Sequence, residues 1–318
     1  MATLSVFATC IYWTGQSQAQ PAIVFNAKNG YVISADDPDR QWYPASLTKL
    51  MTVYLTFEAL SQSKISLKSK IKCSKRAHRQ PPSRIGVPVG GRLSVEQALK
   101  SVIVKSANDV TVMLAEHIAG SEKAFVKKMN LTAQGLNMTR TNFTNTNGLP
   151  DKKQVTTARD MALLSHALLK DFPKYAHFFA TKKAKIGKRT YRNHNTLLRS
   201  LRGSNGMKTG FICDSGFNIV ASAKRNNMQL IAVVFGGATA GERNRRAAKL
   251  LENGFYSYFW KSLLGMKSLE KLPLDKKNIN RARSIRKQVR VRSCGYRGPK
   301  KPVKKKSAAL DALETGVL

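Results

Sequence analysis

The sequence predicts an α+β domain, one antiparallel sheet with helices on its faces. Three observations carry this reading. The early segment "AIVFNAKNGYVISA" alternates in polarity around Asn29-Gly30, the middle of the chain repeats its apolar residues at helical spacing, and past Lys182 the period returns to two. Strands at both ends with a helical block between them close most simply into a single sheet covered by helices.

Taken in order, Asn29-Gly30 marks a hairpin between two strands, because both residues tolerate the positive φ of a tight turn. "WYPASLTKLMTVYLTF", from Trp42 to Phe57, opens the first long helix. Leu50, Val53, Tyr54, Phe57 and Leu60 give it a broad apolar stripe, which predicts a central position. Ser94 and Gln97 form a capping-box pattern at the head of "SVEQALKSVIVKSANDVTVMLAEHIAG", two helices broken at Lys105-Ser106-Ala107-Asn108. Further helices start at Ser121, stopping at Gly135, and at Thr156, ended by Pro173. "MKTGFICDSGFNIVASAKRNNMQLIAVVFGG" then gives three strands of an antiparallel meander, separated by Asp214-Ser215-Gly216 and Asn226-Asn227. "RNRRAAKLLENGFYSYFW" closes the domain as an amphipathic helix ending near Trp260.

The 318 residues carry a net charge of +37, which predicts attraction to polyanions such as nucleic acid, anionic lipid or an anionic cell envelope. Much of the charge lies between Lys267 and Lys306, where apolar residues are too sparse for a packed core, so residues 263–318 read as a basic, disordered tail. That tail offers a single aromatic, Tyr296, and no recognition motif, and so points to no specific nucleic acid. Residues 1–20 contain an apolar run from Leu4 to Trp13 and a small-x-small site at Ser17-Gln18-Ala19. They read as a signal peptide without the usual basic start, and imply export. Residues 21–262 are left as the folded unit. Cys73, Cys213 and Cys294 are odd in number and lack C-x-x-C spacing, which argues against a zinc site and against a disulfide framework. Whether Cys213 tunes the nearby residues 208–210 or only packs beside them stays open. His78, His117, His166, His177 and His194 are scattered singly, so neither a metal nor any other cofactor is expected.

Three polar motifs interrupt this apolar pattern. Ser46 and Lys49 stand three apart at a helix start and share one face; alone, they could be a cap and a snorkelling lysine. Ser106-Ala107-Asn108 falls at the break between helices, and Lys208-Thr209-Gly210 opens a strand. Together they make chemical sense. A serine needs a neighbouring base to become a nucleophile, and Lys49 is the available one, provided that burial and a second cation such as Lys208 lower its pKa. Ser106 can relay a proton to the leaving group, and the Asn108 amide can hold Lys49 and substrate. The backbone N–H groups of Ser46 and Phe211 suit an oxyanion. Lys208, Thr209 and Arg243 would face a negative group such as a terminal carboxylate, and Gly210 lets a substrate backbone lie close.

This motif set resembles the signature of penicillin-binding proteins and class A β-lactamases. "YPASLTKLMT", "VKSANDVTVMLAEHIAGSEKAFVKKMN", "NTNGLPD", "TTARDMALLSHALL", "NGMKTGFICDSGFNIVASAKR" and "AVVFGG" with Arg243 resemble the D-alanyl-D-alanine carboxypeptidases of the low-molecular-weight penicillin-binding proteins, serine peptidase family S11, over roughly Pro21 to Trp260. The resemblance implies a β-lactamase/transpeptidase-like fold with a helical subdomain. It also implies a serine-type carboxypeptidase that removes the terminal D-alanine from peptidoglycan pentapeptides through an acyl-enzyme at Ser46, binds β-lactams and works in the periplasm or envelope. By the same similarity Arg243 looks like the carboxylate-binding arginine. Where many members carry a β-rich second domain and an amphipathic membrane helix, this chain has its basic tail, which could contact anionic envelope polymers or lipid. The rivals are a class A-like β-lactamase, which would need a glutamate after Asn108 that no E-x-x-L-N supplies, a peptidoglycan endopeptidase or an esterase of the same fold, and a non-enzymatic polyanion binder.

Overall fold

The computed structural model describes residues 20–275 and 282–297. Its centre is a five-stranded antiparallel sheet in the order β2-β1-β9-β8-β7: β1 (Ala22–Asn26), β2 (Val32–Asp36), β7 (Ser204–Ile212), β8 (Gly216–Arg225) and β9 (Met228–Gly237). The two ends of the chain thus share one sheet. Strands β1, β8 and β9 are buried on both faces, and their side chains divide by the two-residue period. Val24, Ile219, Ala221, Leu230, Ala232 and Val234 join Ala247 and Leu251 of α8 (Ala240–Leu263) on one side. Ile23, Phe25, Val220, Ile231, Val233 and Phe235 belong to the larger core on the other side.

That larger core is organised by α1 (Lys49–Ser61), buried almost all round, and α6 (Ala158–Asp171), which packs against β1, β9 and α1. Beside α1 stand α4 (Asn108–Ala119) and α5 (Glu122–Gly135), and a β3 (Lys70–Lys72) and β4 (Arg92–Ser94) ribbon, α2 (Lys75–His78) and α3 (Val95–Lys100) pack around α4. Ser94 caps α3 with the reciprocal Gln97 bond, and Ser121 and Thr157 cap α5 and α6. A hairpin, β5 (Lys183–Ile186) and β6 (Arg189–Arg192), and the short α7 (Leu197–Ser200) precede β7. Sequence patterning does not announce these short pieces, because they are too short to express a period and the hairpin is mostly exposed.

Two expectations are corrected. The stretch from Lys267 to Lys306 is not uniformly unstructured, for residues 267–275 and 282–297 pack onto the domain. Leu269, Ile285, Val289 and Cys294 are buried, and Arg159, paired with Asp39 at 2.5 Å, also donates to the carbonyls of Leu269, Leu272 and Pro273. A few well-placed apolar residues suffice when the docking surface is already built. The cysteines are not all unpaired either: Cys213 and Cys294 form a disulfide, with Cα atoms 5.4 Å apart despite a separation of 81 residues, and only Cys73 is free among the described residues. Spacing could not reveal the pair, because the chain returns to the sheet only through tertiary packing. Of the expected signal peptide, residues 1–20, all but Gln20 lie outside the described residues, as do residues 276–281 and 298–318 of the basic tail. Among the described residues no helix is long and apolar enough to cross a membrane.

Candidate active site

Ser46 lies in a single turn of 3-10 helix, Ala45–Thr48, that runs directly into α1. The turn is tightly held. The Asn218 side chain on β8 donates to the carbonyls of Tyr43 (3.0 Å) and Pro44 (3.3 Å) and accepts from Gly236 N (3.1 Å). Ala45 takes a positive φ of 49°, a conformation that L residues rarely occupy and that is often found where a functional group is being aimed. Two glycines make room for it. A Cβ on Gly148, whose φ is +85°, would lie 1.9 Å from the Ala45 carbonyl oxygen, and one on Gly210 would lie 3.1 Å from Ser46 N. Gly210 therefore first admits the protein's own backbone, a local reason that adds to the close approach of a substrate.

Lys49 is wholly buried, and its Nζ has three acceptors: Ser46 Oγ at 2.9 Å, Asn108 Oδ1 at 2.8 Å and the Asn147 carbonyl at 2.5 Å. Asn108 is oriented by its own amide, which donates to Pro81 O at 2.9 Å. Burial, then the charge of Lys208, push the Lys49 pKa well below the ordinary lysine value, with only Asp109 pulling the other way. A neutral amine keeps two N–H bonds and one lone pair. Asn108 Oδ1 and the Asn147 carbonyl can only accept, so they take the N–H groups and leave the lone pair facing the Ser46 hydroxyl.

Ser106 sits between the π-helical turn Ser101–Lys105 and α4, in the left-handed conformation at φ 59°. Its hydroxyl accepts from Lys208 Nζ at 2.9 Å, and Lys208 also donates to the Thr209 carbonyl. Burial and the nearby Arg243 bring Lys208 down to about 7. The Asp109 carboxylate accepts from the backbone N–H groups of Ile85 and Gly86, fixing the loop that carries Pro82 and Ser83. The Ser83 carbonyl accepts from Asn108 N at 2.7 Å.

These groups surround one cavity of about 400 Å³. Of the residues singled out in the sequence, Ser46, Ser106, Asn108, Thr209, Gly210, Phe211 and Arg243 line it, while Lys49 and Lys208 lie just beneath, bonded to Ser46 and Ser106. β7 is an edge strand, and its residues Thr209 to Ile212 form one wall. Arg243, in the first turn of α8, donates to Asn218 O at 3.2 Å; burial lowers its pKa to about 10, which leaves it charged at neutral pH. Wall residues to which the sequence reading gave no role in the site include Asn147, Leu149 and His194, together with the Pro82-Ser83 pair. His194 is held neutral, near 4, by burial and by Lys208, Lys105, Arg243 and Lys49. The only signal for Asn147 was its place in "NTNGLPD", and for Asn218 its place in "NGMKTGFICDSGFNIVASAKR".

The family model described as D-alanyl-D-alanine carboxypeptidase matches residues 9–239. Relatives include the D-alanyl-D-alanine carboxypeptidases DacF of Bacillus subtilis, 35% identical over 76% of this chain and 63% of the relative, and DacA of Haemophilus influenzae, 38% identical over 76% and 63%. The chain thus spans under two thirds of the length of these relatives. Among solved structures, penicillin binding protein 5 of Haemophilus influenzae superposes with a TM-score of 0.72 at 36% identity, covering 79% of this chain and 73% of that one. Penicillin-binding protein D2 of Listeria monocytogenes in its cefotaxime-bound form gives 0.67 at 29% identity, covering 75% and 97%. The fold is that of the penicillin-binding proteins, and the chain belongs to the D-alanyl-D-alanine carboxypeptidase family.

Proposed function

We propose that the chain is a serine-type D-Ala-D-Ala carboxypeptidase that trims the terminal D-alanine from peptidoglycan stem peptides and is acylated by β-lactams. One observation carries the reading most: a fully buried Lys49, its pKa depressed by that burial and then by Lys208, whose Nζ lies 2.9 Å from the hydroxyl of Ser46. Ser46 Oγ attacks the penultimate carbonyl and gives its proton to Lys49, while the N–H groups of Ser46 and Phe211 receive the developing oxyanion. The C–N bond then breaks, and Ser106 passes its hydroxyl proton to the leaving amine while Lys208 re-protonates Ser106. The proton taken up by Lys49 makes good the one Lys208 gave. Water takes the place of the amine in the second half. Thr209, Lys208 and Arg243 bind the terminal carboxylate, and Asn108 aligns the peptide backbone. The decisive assay measures D-alanine released from a pentapeptide ending in D-Ala-D-Ala. Wild type should release it and Ser46→Ala should not; a wild-type protein that releases none would sink the reading.

A β-lactamase reading gains no support from the cleft. Glu116 accepts from Ser74 and Glu122 pairs with Arg76; neither lines the cavity, and slow penicillin release is expected. We also propose that the protein is exported to the periplasm or envelope, which a Cys213–Cys294 disulfide fits, since such bonds persist in oxidising compartments. The basic tail would then contact anionic envelope polymers or lipid. Deleting residues 298–318 should reduce envelope association at low salt, and unchanged association would refute the contact.

A further inference from the structure

Beyond α8 the chain comes back to the cleft. Residues 282–297 form a strap with four attachments. Ile285 N donates to Asp214 O at 3.0 Å and Ser284 Oγ bonds the Asp214 carboxylate; Arg290 N donates to Ala238 O at 3.0 Å; the Tyr43 hydroxyl donates to Ala282 O at 3.3 Å; and Cys294 is joined to Cys213. Its own Ile285 and Val289 are buried against the domain. Each attachment stands one to three residues from a cavity wall: Cys213 and Asp214 after Ile212, Ala238 before Ala240, Tyr43 before Ser46. One segment therefore ties together the Ser46 turn, the distal end of β7 and the entrance to α8.

The most sensitive of these walls is the end of β7. It is an edge strand, its ladder with β8 ends at Ile212 opposite Gly216, and Phe211 beside that end stacks on Phe217 at 4.2 Å. The Phe211 N–H is the proposed second oxyanion donor, two residues from Cys213. Edge strands fray at their ends, and a reacting group displaced by about 1 Å can cost roughly 100-fold in rate.

We infer that the strap, locked by Cys213–Cys294, positions the oxyanion-binding end of β7, so that acylation depends on the oxidation state of this cysteine pair. The chemistry is ordinary exchange. A dithiol such as dithiothreitol gives two electrons and two protons to the S–S bond, leaving Cys213 and Cys294 as thiols and itself as a cyclic disulfide. Cys213 and Cys294 are positioning residues here, and the inference rests on the acyl-serine reading of Ser46.

The test uses full-length protein and a fluorescent penicillin, reading the number of labelled sites, the limiting acylation rate per labelled site, and the concentration that half-saturates that rate. Reduced wild type and Cys294→Ser should acylate about tenfold or more slowly per site with half-saturation little changed, as expected when a transition-state donor is misplaced. Re-oxidation should restore wild type but not the variant, and Cys73→Ser, remote from the strap, should behave as wild type in both states. If Cys294→Ser does not fold, reduction of the folded wild type carries the test. A rate per site unchanged within twofold overturns the inference. So does a loss confined to the number of labelled sites, which would assign the disulfide to folding alone. Wild type that takes up no penicillin at all would instead overturn the acyl-serine reading.

Discussion

Lys49 has three acceptors for an ammonium and, when neutral, a lone pair aimed at a single hydroxyl. Replacing it with alanine should cut penicillin acylation by about 10²–10⁴-fold, the usual worth of a general base, while circular dichroism shows a folded protein. The acid limb of the acylation profile should lie well below the ordinary lysine range, because Lys49 must be neutral to accept a proton and burial depresses its pKa. Lys208 adds a stability effect. Its folded pKa of about 7 lies below the ordinary 10.5, so between these values the unfolded chain binds more protons, and stability should rise with pH across that window. Denaturant melts should show this slope in wild type, where the depressed Lys49 contributes in the same sense, and a shallower one in Lys208→Met. At this scale much was legible in the sequence: Ser46, Lys49, Ser106, Asn108 and Lys208 stand in short motifs whose spacing has a chemical reason. Asn147 contributes a backbone carbonyl and His194 a neutral ring, and neither contribution is written in a side-chain pattern.

The elements matter here mainly as holders. β8 presents Asn218, whose amide bridges the Tyr43 and Pro44 carbonyls and Gly236 N, so the sheet itself clamps the turn of the nucleophile. Asn218→Ala removes the partner of the Tyr43 carbonyl and of Gly236 N, at about 1–3 kcal/mol each, while the Pro44 carbonyl keeps Leu47 N. It should lower the thermal midpoint and slow acylation together, a coupling that separate measurements of melting and labelling can check. Gly148→Ala should be worse, since a Cβ there meets backbone and the φ of +85° is strained for alanine; little folded, labelled protein is expected on expression. The long helices and the meander were readable because each is long enough to show its period. The clamp was not, because Asn218 looks like any polar residue in a strand until β8 is laid beside the Ser46 turn.

Over the whole molecule, the first strand pairs with the last, and Asp39 and Arg159, both nearly inaccessible, join the loop after β2 to α6 and to residues 269–273. Asp39→Ala strands a buried guanidinium and should cost about 3–5 kcal/mol, read as a drop in the unfolding midpoint in urea. Neither this pair nor the strap was legible in the sequence, since partners 81 or 120 residues apart leave no local trace. The burial of Lys49 has one more consequence. In an unfolded chain Ser46 is an ordinary, inert hydroxyl, because the depression of its base needs burial in α1 and a second cation 159 residues further along. Reactivity therefore arises only once α1 is buried and β7 has brought Lys208 beside it. A nascent or partly unfolded molecule is chemically silent, and a covalent label at Ser46 counts finished molecules alone.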